Sequence, residues 1–213
     1  MSMWFTNEWV QVNNAIDKKT CDRIKKLAQS NWENSTVNIL KHPFSEEEHI
    51  HGRKPVYEPD NKIRISDVYW TTEQWLYDLI WPFMLEANKS AGWNLDISAA
   101  EDIQITRYKK GGFYNWHRDG ISDSLSAYDR PNKPLMHGNV RKMSVSLMLN
   151  DDYEGGEFEF SGLAKGECEI TSIKNLKAGD MLFFTSGMEH RVTPVTKGVR
   201  YSLVNWFVGP PVR

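Results

Sequence analysis

The stretch YNWHRDG, Tyr114 to Gly120, sets His117 and Asp119 two residues apart. An imidazole nitrogen and a carboxylate oxygen at that spacing could grip one metal ion. On a β-strand, residues i and i+2 share a face, so both side chains would approach the ion from adjacent corners. Alone the triplet is uninformative, because six His and thirteen Asp among 213 residues make it an ordinary coincidence. A third ligand must come from elsewhere, and the best candidate is His190 in TSGMEHRVTPV, just after the apolar run GDMLFF. Two neutral imidazoles and one carboxylate form the facial triad of non-haem Fe(II), which leaves three coordination positions open. A hydrolytic zinc site would want a general base beside this trio, and the sequence offers no evident one.

Arg200, ten positions beyond His190, gives the constellation its meaning. If the open positions take 2-oxoglutarate, Fe(II) contributes +2, Asp119 −1 and the cosubstrate −2. The excess negative charge is costly in a barrel interior unless paired. One arginine cancels it, and a planar guanidinium fork suits a distal carboxylate. Ser202 follows Arg200 at strand spacing on the same face and can add a hydrogen bond.

Two kinds of element must position these residues. The first ninety residues read as mostly helical. Ile16, Cys21, Ile24, Leu27 and Ala28 recur at helical spacing, and a second stripe begins near Thr71–Thr72 with Trp75, Leu76, Leu79, Ile80, Phe83, Met84 and Ala87. Gly92 is a plausible stop, and Pro82 should kink or split this helix. Between them, KHPFSEEEHIHGRKPVYEPDNK reads as a long solvated loop, so His49, His51 and Glu46 to Glu48 imitate a metal site without being one. From Ala100 onward the period changes to two: DIQITRY, VRKMSVSLMLN, GEFEF, GDMLFF and RYSLVNWFV are short, β-branched or aromatic, and bounded by Gly, Asp or Asn. Many short strands without intervening helices indicate an antiparallel sandwich or barrel. The expected organisation is one domain over residues 1–213, with 1–99 as helical support and loop and 100–209 as the β-rich catalytic core.

Composition limits the partners. Lys plus Arg (26) nearly balances Asp plus Glu (28), giving −2, so no broad basic surface advertises nucleic acid. The N-terminus lacks the basic-then-apolar pattern of a signal peptide, and no apolar stretch approaches the ~20 residues that span a bilayer. Cys21 and Cys168 match no zinc or redox spacing and read as buried free thiols. The expectation is a cytoplasmic protein that does not engage a membrane.

With those residues in place, the chain resembles the Fe(II)/2-oxoglutarate-dependent dioxygenases of the prolyl 4-hydroxylase-like family, over roughly residues 60 to 208. The motifs that carry the resemblance are ITRYKKGGFYNWHRD, RKMSVSLMLNDDYEGGEFEF and LKAGDMLFFTSGMEHRVTPVTKGVRYSLVNWFV; the last is most similar to bacterial hydroxylases of this group. The resemblance implies a double-stranded β-helix, or jelly roll, buttressed by N-terminal helices. It implies Fe(II) on His117, Asp119 and His190, with 2-oxoglutarate and O2 as cosubstrates and ascorbate as a candidate reductant. It places Arg200 on the cosubstrate's distal carboxylate, Tyr108 within reach of that carboxylate, and Trp206 at a pocket-lining tryptophan; plain core packing explains Trp206 equally well. Two departures stand out. Collagen-type enzymes carry lysine at the Arg200 position, and Met148 stands where oxygen-sensing enzymes have a second pocket tyrosine.

The resemblance implies hydroxylation of a C–H bond, with a prolyl residue in a peptide or protein as the expected substrate. The segment GISDSLSAYDRPNKPLMHGNVRK leaves directly from the metal ligands and has the length of a binding loop. Trp116, Arg118 and Tyr128 are the residues expected to supply an aromatic wall and backbone contacts for a proline ring. Three rivals stay open. A hydroxylase of a free amino acid would need a charged pocket for its substrate. A nucleic-acid demethylase would normally carry a second arginine where Trp206 stands. A non-catalytic β-helix binding module would be expected to lose a ligand or the arginine, whereas this chain keeps all four. The oligomeric state is not legible.

Overall fold

The computed structural model describes residues 8–29, 31–35, 38–40, 57–59, 62–120, 127–164 and 167–211, with side chains at all of these except 38–40, 57–59, 163–164 and 167–168. In chain order the elements are β1 (Trp9–Val12), α1 (Lys18–Leu27), β2 (Glu33–Ser35), β3 (Asn38–Leu40), β4 (Tyr57–Pro59), β5 (Arg64–Thr71), α2 (Gln74–Ser90) and β6 (Ala99–Ala100). The second half adds β7 (Ile103–Tyr108), β8 (Phe113–His117), β9 (Val140–Met148), β10 (Glu154–Gly155) and β11 (Phe158–Ala164). It ends with β12 (Glu167–Ile173), β13 (Met181–Thr185), β14 (Glu189–Val192), β15 (Val195–Lys197) and β16 (Arg200–Gly209).

Strand periodicity decides which residues meet the helices and which meet the cavity. Ile103 and Ile105 of β7, Met143, Val145 and Leu147 of β9, Met181 and Phe183 of β13, and Leu203 of β16 pack against Cys21 and Ile24 of α1 and Leu76, Ile80 and Met84 of α2. The alternate residues point the other way. Tyr108, Leu182 and Phe184 belong to a second cluster with Phe158, Phe160 and Val192. The sheet is therefore buried on both faces, like the wall of a barrel under a helical layer.

Two walls share one strand. The larger runs β1-β13-β9-β16-β7-β5 and the smaller β5-β8-β14-β11-β12, every pair antiparallel. β5 pairs with β7 through Asp67–Thr71 and with β8 through Arg64–Ile65, so it passes from one wall to the other. This curled antiparallel sheet is the expected jelly roll.

The first ninety-nine residues are not mostly helical: among the described residues they hold two helices, five strands and the first residue of a sixth. β5 escaped periodicity analysis because its inward positions begin with Arg64 and Ser66, polar residues where an ordinary strand is apolar. α1 begins after Ile16, with Asp17 as N-cap accepting the Thr20 N–H at 2.7 Å. Thr71 closes β5, and α2 starts at Gln74. α2 then runs through Pro82 as one element. Pro82 forfeits one backbone hydrogen bond, but the packed stripe of Leu76, Ile80, Met84 and Ala87 outweighs it. Gly92 ends this helix with φ +73°. Within the long loop, Tyr57–Pro59 forms β4, while Glu46 to Glu48, His49 and His51 lie outside the described residues. Cys21 is buried and free of any disulfide; the side chain of Cys168 lies outside the described residues. No described helix is long and apolar enough to cross a membrane.

Asp180 ties the N-terminal segment to the sheet. It is 2% exposed; its Oδ1 accepts the Asn14 N–H and its Oδ2 the Lys177 N–H, both at 2.8 Å. Its neighbour Gly179 has φ +93°, and a Cβ there would collide with the Ile16 carbonyl. Asp180→Ala orphans two amides and is expected to cost about 2–4 kcal/mol in urea unfolding. A loss below about 0.5 kcal/mol, the range of neutral surface changes, would show the tie to be dispensable.

Candidate metal centre

His117 closes β8 and stands directly opposite His190 of β14 in the register, next to an irregularity between His190 and Val192. Asp119 lies beyond the strand, so a shared strand face is not what aims it inward. It is held in a turn instead. Its carbonyl accepts from Arg141 Nη1 at 3.1 Å, and the next amide, Gly120 N–H, donates to Ser186 O at 2.9 Å. The outcome is the expected convergence. His117 Nε2 lies 3.7 Å from Asp119 Oδ1 and His190 Nε2 3.7 Å from Asp119 Oδ2. One ligand atom from each of the three residues falls within 4.8 Å of the others.

Protonation suits a divalent cation. The Nδ1 atoms of His117 and His190 lie 2.7 and 2.9 Å from the carbonyls of Asn115 and Met188. Those contacts assign the proton to Nδ1 and leave both Nε2 lone pairs facing Asp119. Burial, helped by the nearby His190, pushes His117 down to about 4. Burial works against the Asp119 carboxylate, but His190, His117, Arg141 and Ser144 outweigh it and hold the group below its ordinary range. The set at neutral pH includes a neutral imidazole and an anionic oxygen, as a first-row metal requires. Aromatic rings wall it in. Tyr114 stacks on His117 with centroids 3.4 Å apart, and Phe158 on His190 at 5.3 Å.

Arg200 opens β16 deeper in the same cavity, opposite Tyr108 in the register. It is 1% exposed, donates from Nη1 to Ser202 Oγ at 3.0 Å, and sets Nη2 3.2 Å from Met148 Sδ. Its Nε has no hydrogen-bond partner among the described residues. A buried guanidinium held by a hydroxyl and a thioether, with no acid beside it among the described residues, fits an incoming carboxylate. Gly156 of the Glu-Gly-Gly-Glu motif has φ +64°, and a Cβ there would sit 3.0 Å from Arg200 Cδ, so the chain can close over the arginine stem only with glycine. Tyr108 and Trp206 both line the cavity of about 220 Å³, and Trp206 Nε1 is buried without a hydrogen-bond partner among the described residues.

The three residues expected to meet substrate separate. Arg118 is exposed and lines the cavity. Trp116 lies beneath the Arg191 guanidinium at 4.5 Å, outside the cavity lining. Tyr128 also lies outside it, its hydroxyl donating to Glu101 Oε1 at 2.6 Å and its ring packed on Ala99, Met136 and Val208. Among the lining residues not anticipated from the sequence are Arg64 and Trp70 from β5, and Arg141. Trp70, 43% exposed, forms the aromatic rim, 6.0 Å from Trp206 between ring centroids. Arg141 covers the Trp206 ring at 4.1 Å and is clamped by Glu101, with Nη2 to Oε2 at 2.7 Å. Recognising β5 as a strand would have put both its residues on the inner face.

Two imidazoles and a carboxylate in a jelly-roll cavity, with a buried acid-free arginine beneath them, define a mononuclear metal site built to receive an anion. Residues 103–208 match the model of the 2OG-Fe(II) oxygenase superfamily. A PKHD-type hydroxylase of Synechococcus sp. (strain CC9902) is 36% identical over 112 residues, 52% of this chain and 42% of that protein. One from Acidovorax ebreus is 35% identical over 106 residues, covering 48% and 41%. The chain thus spans well under half the length of these curated relatives. Among solved structures, a viral collagen prolyl hydroxylase from Paramecium Bursaria Chlorella virus-1 superposes with a TM-score of 0.63 at 20% identity, covering 96% of this chain and 97% of that one. A Pseudomonas putida prolyl-4-hydroxylase gives 0.60 at 19%, covering 95% and 92%. Residues 103–208 are thereby placed in the 2OG-Fe(II) oxygenase superfamily, whose cofactors are Fe(II), 2-oxoglutarate and O2, and they contain His117, Asp119, His190 and Arg200; the solved prolyl hydroxylases share the fold.

The pH response of the metal-free protein tests the buried imidazole. His117 has its folded pKa, about 4, below its ordinary 6.5, so the unfolded chain binds the extra proton first. Stability from this residue is present above 6.5 and is lost as pH falls toward 4, by on the order of 3 kcal/mol. In EDTA, His117→Gln is expected to flatten that segment of the stability–pH curve relative to wild type. Parallel curves would mean that His117 is not held neutral.

Proposed function

We propose that the protein is an Fe(II)- and 2-oxoglutarate-dependent dioxygenase that hydroxylates a prolyl residue within a peptide or protein. The observation that carries the reading is the convergence of His117, Asp119 and His190 in one cavity with Arg200. Iron with 2-oxoglutarate and O2 supplies C–H hydroxylation, the cosubstrate leaving as succinate and CO2. The residues lining the cavity divide the remaining work. His117, Asp119 and His190 would hold the metal. Arg200, supported by Ser202 and faced by Tyr108, would hold the distal carboxylate, and Phe158, Phe184 and Val192 keep the surroundings dry.

Support for the substrate is of three kinds. The cavity of about 220 Å³ is smaller than the roughly 300–1,000 Å³ of pockets that engulf a drug-sized ligand, so a side chain would enter while the rest of the substrate stays outside. Trp70 offers an aromatic face at that mouth, a role expected of Trp116 and Tyr128. A similar fold, the Trichoplax adhaerens prolyl hydroxylase (TM-score 0.59, 17% identity, covering 95% of this chain and 84% of that one), was solved with a hypoxia inducible factor peptide fragment. The net charge of −2 gives no comparable support to nucleic acid. A cytoplasmic location is part of the proposal.

Asp119→Ala removes the anionic ligand and is expected to abolish peptide hydroxylation and 2-oxoglutarate decarboxylation while leaving the circular dichroism spectrum intact; wild-type turnover with iron would remove Asp119 from the centre. Arg200→Ala is expected to weaken 2-oxoglutarate by about 2–5 kcal/mol, with partial recovery in Arg200→Lys, where charge survives without the fork. Titration of the cosubstrate against anaerobic Fe(II)-loaded protein measures both, and unchanged affinity in Arg200→Ala would sink the assignment.

A further inference from the structure

We propose that Arg64 anchors the substrate through a carboxylate, so that the molecule hydroxylated here carries an acid group next to the target C–H bond. The inference rests on the dioxygenase reading above and specifies its substrate.

Arg64 is the first inward residue of β5, 7% exposed, and it lines the cavity. Nε donates to Ser66 Oγ and Nη2 to Gln104 Oε1, both at 2.8 Å. Thr106 Oγ1 donates to the same Gln104 oxygen at 3.0 Å, which fixes that oxygen toward the arginine. The guanidinium lies 4.6 Å from the centre of the Tyr114 ring. Every one of these partners is neutral. They use two of the five N–H donors that a guanidinium carries. No described carboxylate comes within ion-pair distance.

The other buried or half-buried arginines do not share this condition. Arg107 pairs with Asp67, Arg141 with Glu101 and Arg191 with Glu159. Arg200 lacks an acid too, but one dianionic cosubstrate accounts for it. Fe(II), Asp119, 2-oxoglutarate and Arg200 together sum to zero; Arg118 on the lining is exposed and screened by solvent, so Arg64 is the one buried positive charge left over among the described lining residues. Such a charge is costly unless an anion meets it. The geometry places that anion close to the reaction. Tyr114, under the Arg64 guanidinium, is itself stacked on the candidate ligand His117. A carboxylate on Arg64 is therefore one aromatic ring away from the metal position.

One chemistry has two sources. The carboxylate could be the side chain of an Asp or Glu flanking an internal proline, or the α-carboxylate of a C-terminal proline or of free proline. The test uses four probes: an amide-capped peptide with Glu beside proline, its Gln counterpart, a peptide ending in free-acid proline, and L-proline. Turnover is followed by mass gain. Binding is followed by tryptophan fluorescence on Zn(II)-substituted, 2-oxoglutarate-saturated protein, which needs no catalysis. Wild type is expected to show at least a tenfold lower KM and Kd for one carboxylate-bearing probe than for the neutral peptide. Arg64→Gln should erase that ratio, and Arg64→Lys should restore part of it. Preference for the Glu peptide identifies a side-chain acid; preference for the free-acid probes identifies the substrate's own α-carboxylate. If carboxylate probes bind in an Arg64-dependent way but none gains oxygen, the prolyl reading fails and the anchor stands. Equal affinity for charged and neutral probes in wild type overturns the anchor. So does an Arg64→Gln variant that keeps the ratio and instead raises the KM for 2-oxoglutarate.

Discussion

The site depends on one cross-strand pair. His117 and His190 come from segments more than seventy residues apart, and the antiparallel pairing of β8 with β14 sets them directly opposite each other. Facing residues on paired strands have Cβ atoms roughly 4.5–5.5 Å apart, a spacing from which two imidazoles can reach a common point. Register makes this unforgiving. A slip of one residue would turn either histidine to the far side of the sheet, toward Trp116 on one strand or Glu189 on the other. The smaller wall is consequently built around holding that register: β11 pairs with β14 on its other side and matches Phe160 to His190.

Much of the molecule supports that pairing at a distance. The helices cover the outer face of the larger wall and leave the inner face for Arg200, Ser202, Tyr108 and Trp206. Alternation along β16 does the sorting, since Arg200, Ser202 and Trp206 face inward while Leu203 meets the helical layer. The same two-residue period thus makes a hydrophobic core on one side and a charged pocket on the other, without any change of strand.

Legibility followed the same physics. Five strands after Ala100, namely β7, β9, β11, β13 and β16, are legible because their apolar residues alternate and their bounds are Gly, Asp or Asn; β12 and the two- to five-residue strands between them are not. The two helices show through their stripes, although the second starts at Gln74, two or three residues after Thr71–Thr72. β5 was hidden because the inward residues Arg64 and Ser66 serve the cavity and break the expected pattern. His190 is legible as the partner of His117 and Asp119 but not as part of a four-residue strand, too short for periodicity to register. Asp119 reached its place through a turn that local spacing does not encode. Trp116 is turned outward by strand alternation alone, since adjacent residues on a strand point to opposite faces and His117 points inward. Tyr128 could not, because its partner Glu101 lies twenty-seven positions away in sequence.

The passage of β5 between the two walls has a mechanical consequence. A strand hydrogen-bonded into both sheets locks them against sliding along the strand direction, because any such shear would have to break its ladder with β7 or with β8. The inner faces of the walls are joined a second time by packing, with Trp9 and Phe184 of the larger wall 5.2 and 5.3 Å from Phe160 of the smaller between ring centroids. Arg64 lies at one end of β5 and Trp70 near the other. The two cavity-lining side chains that β5 contributes are therefore held at a separation fixed by one strand, as graduations are on a ruler.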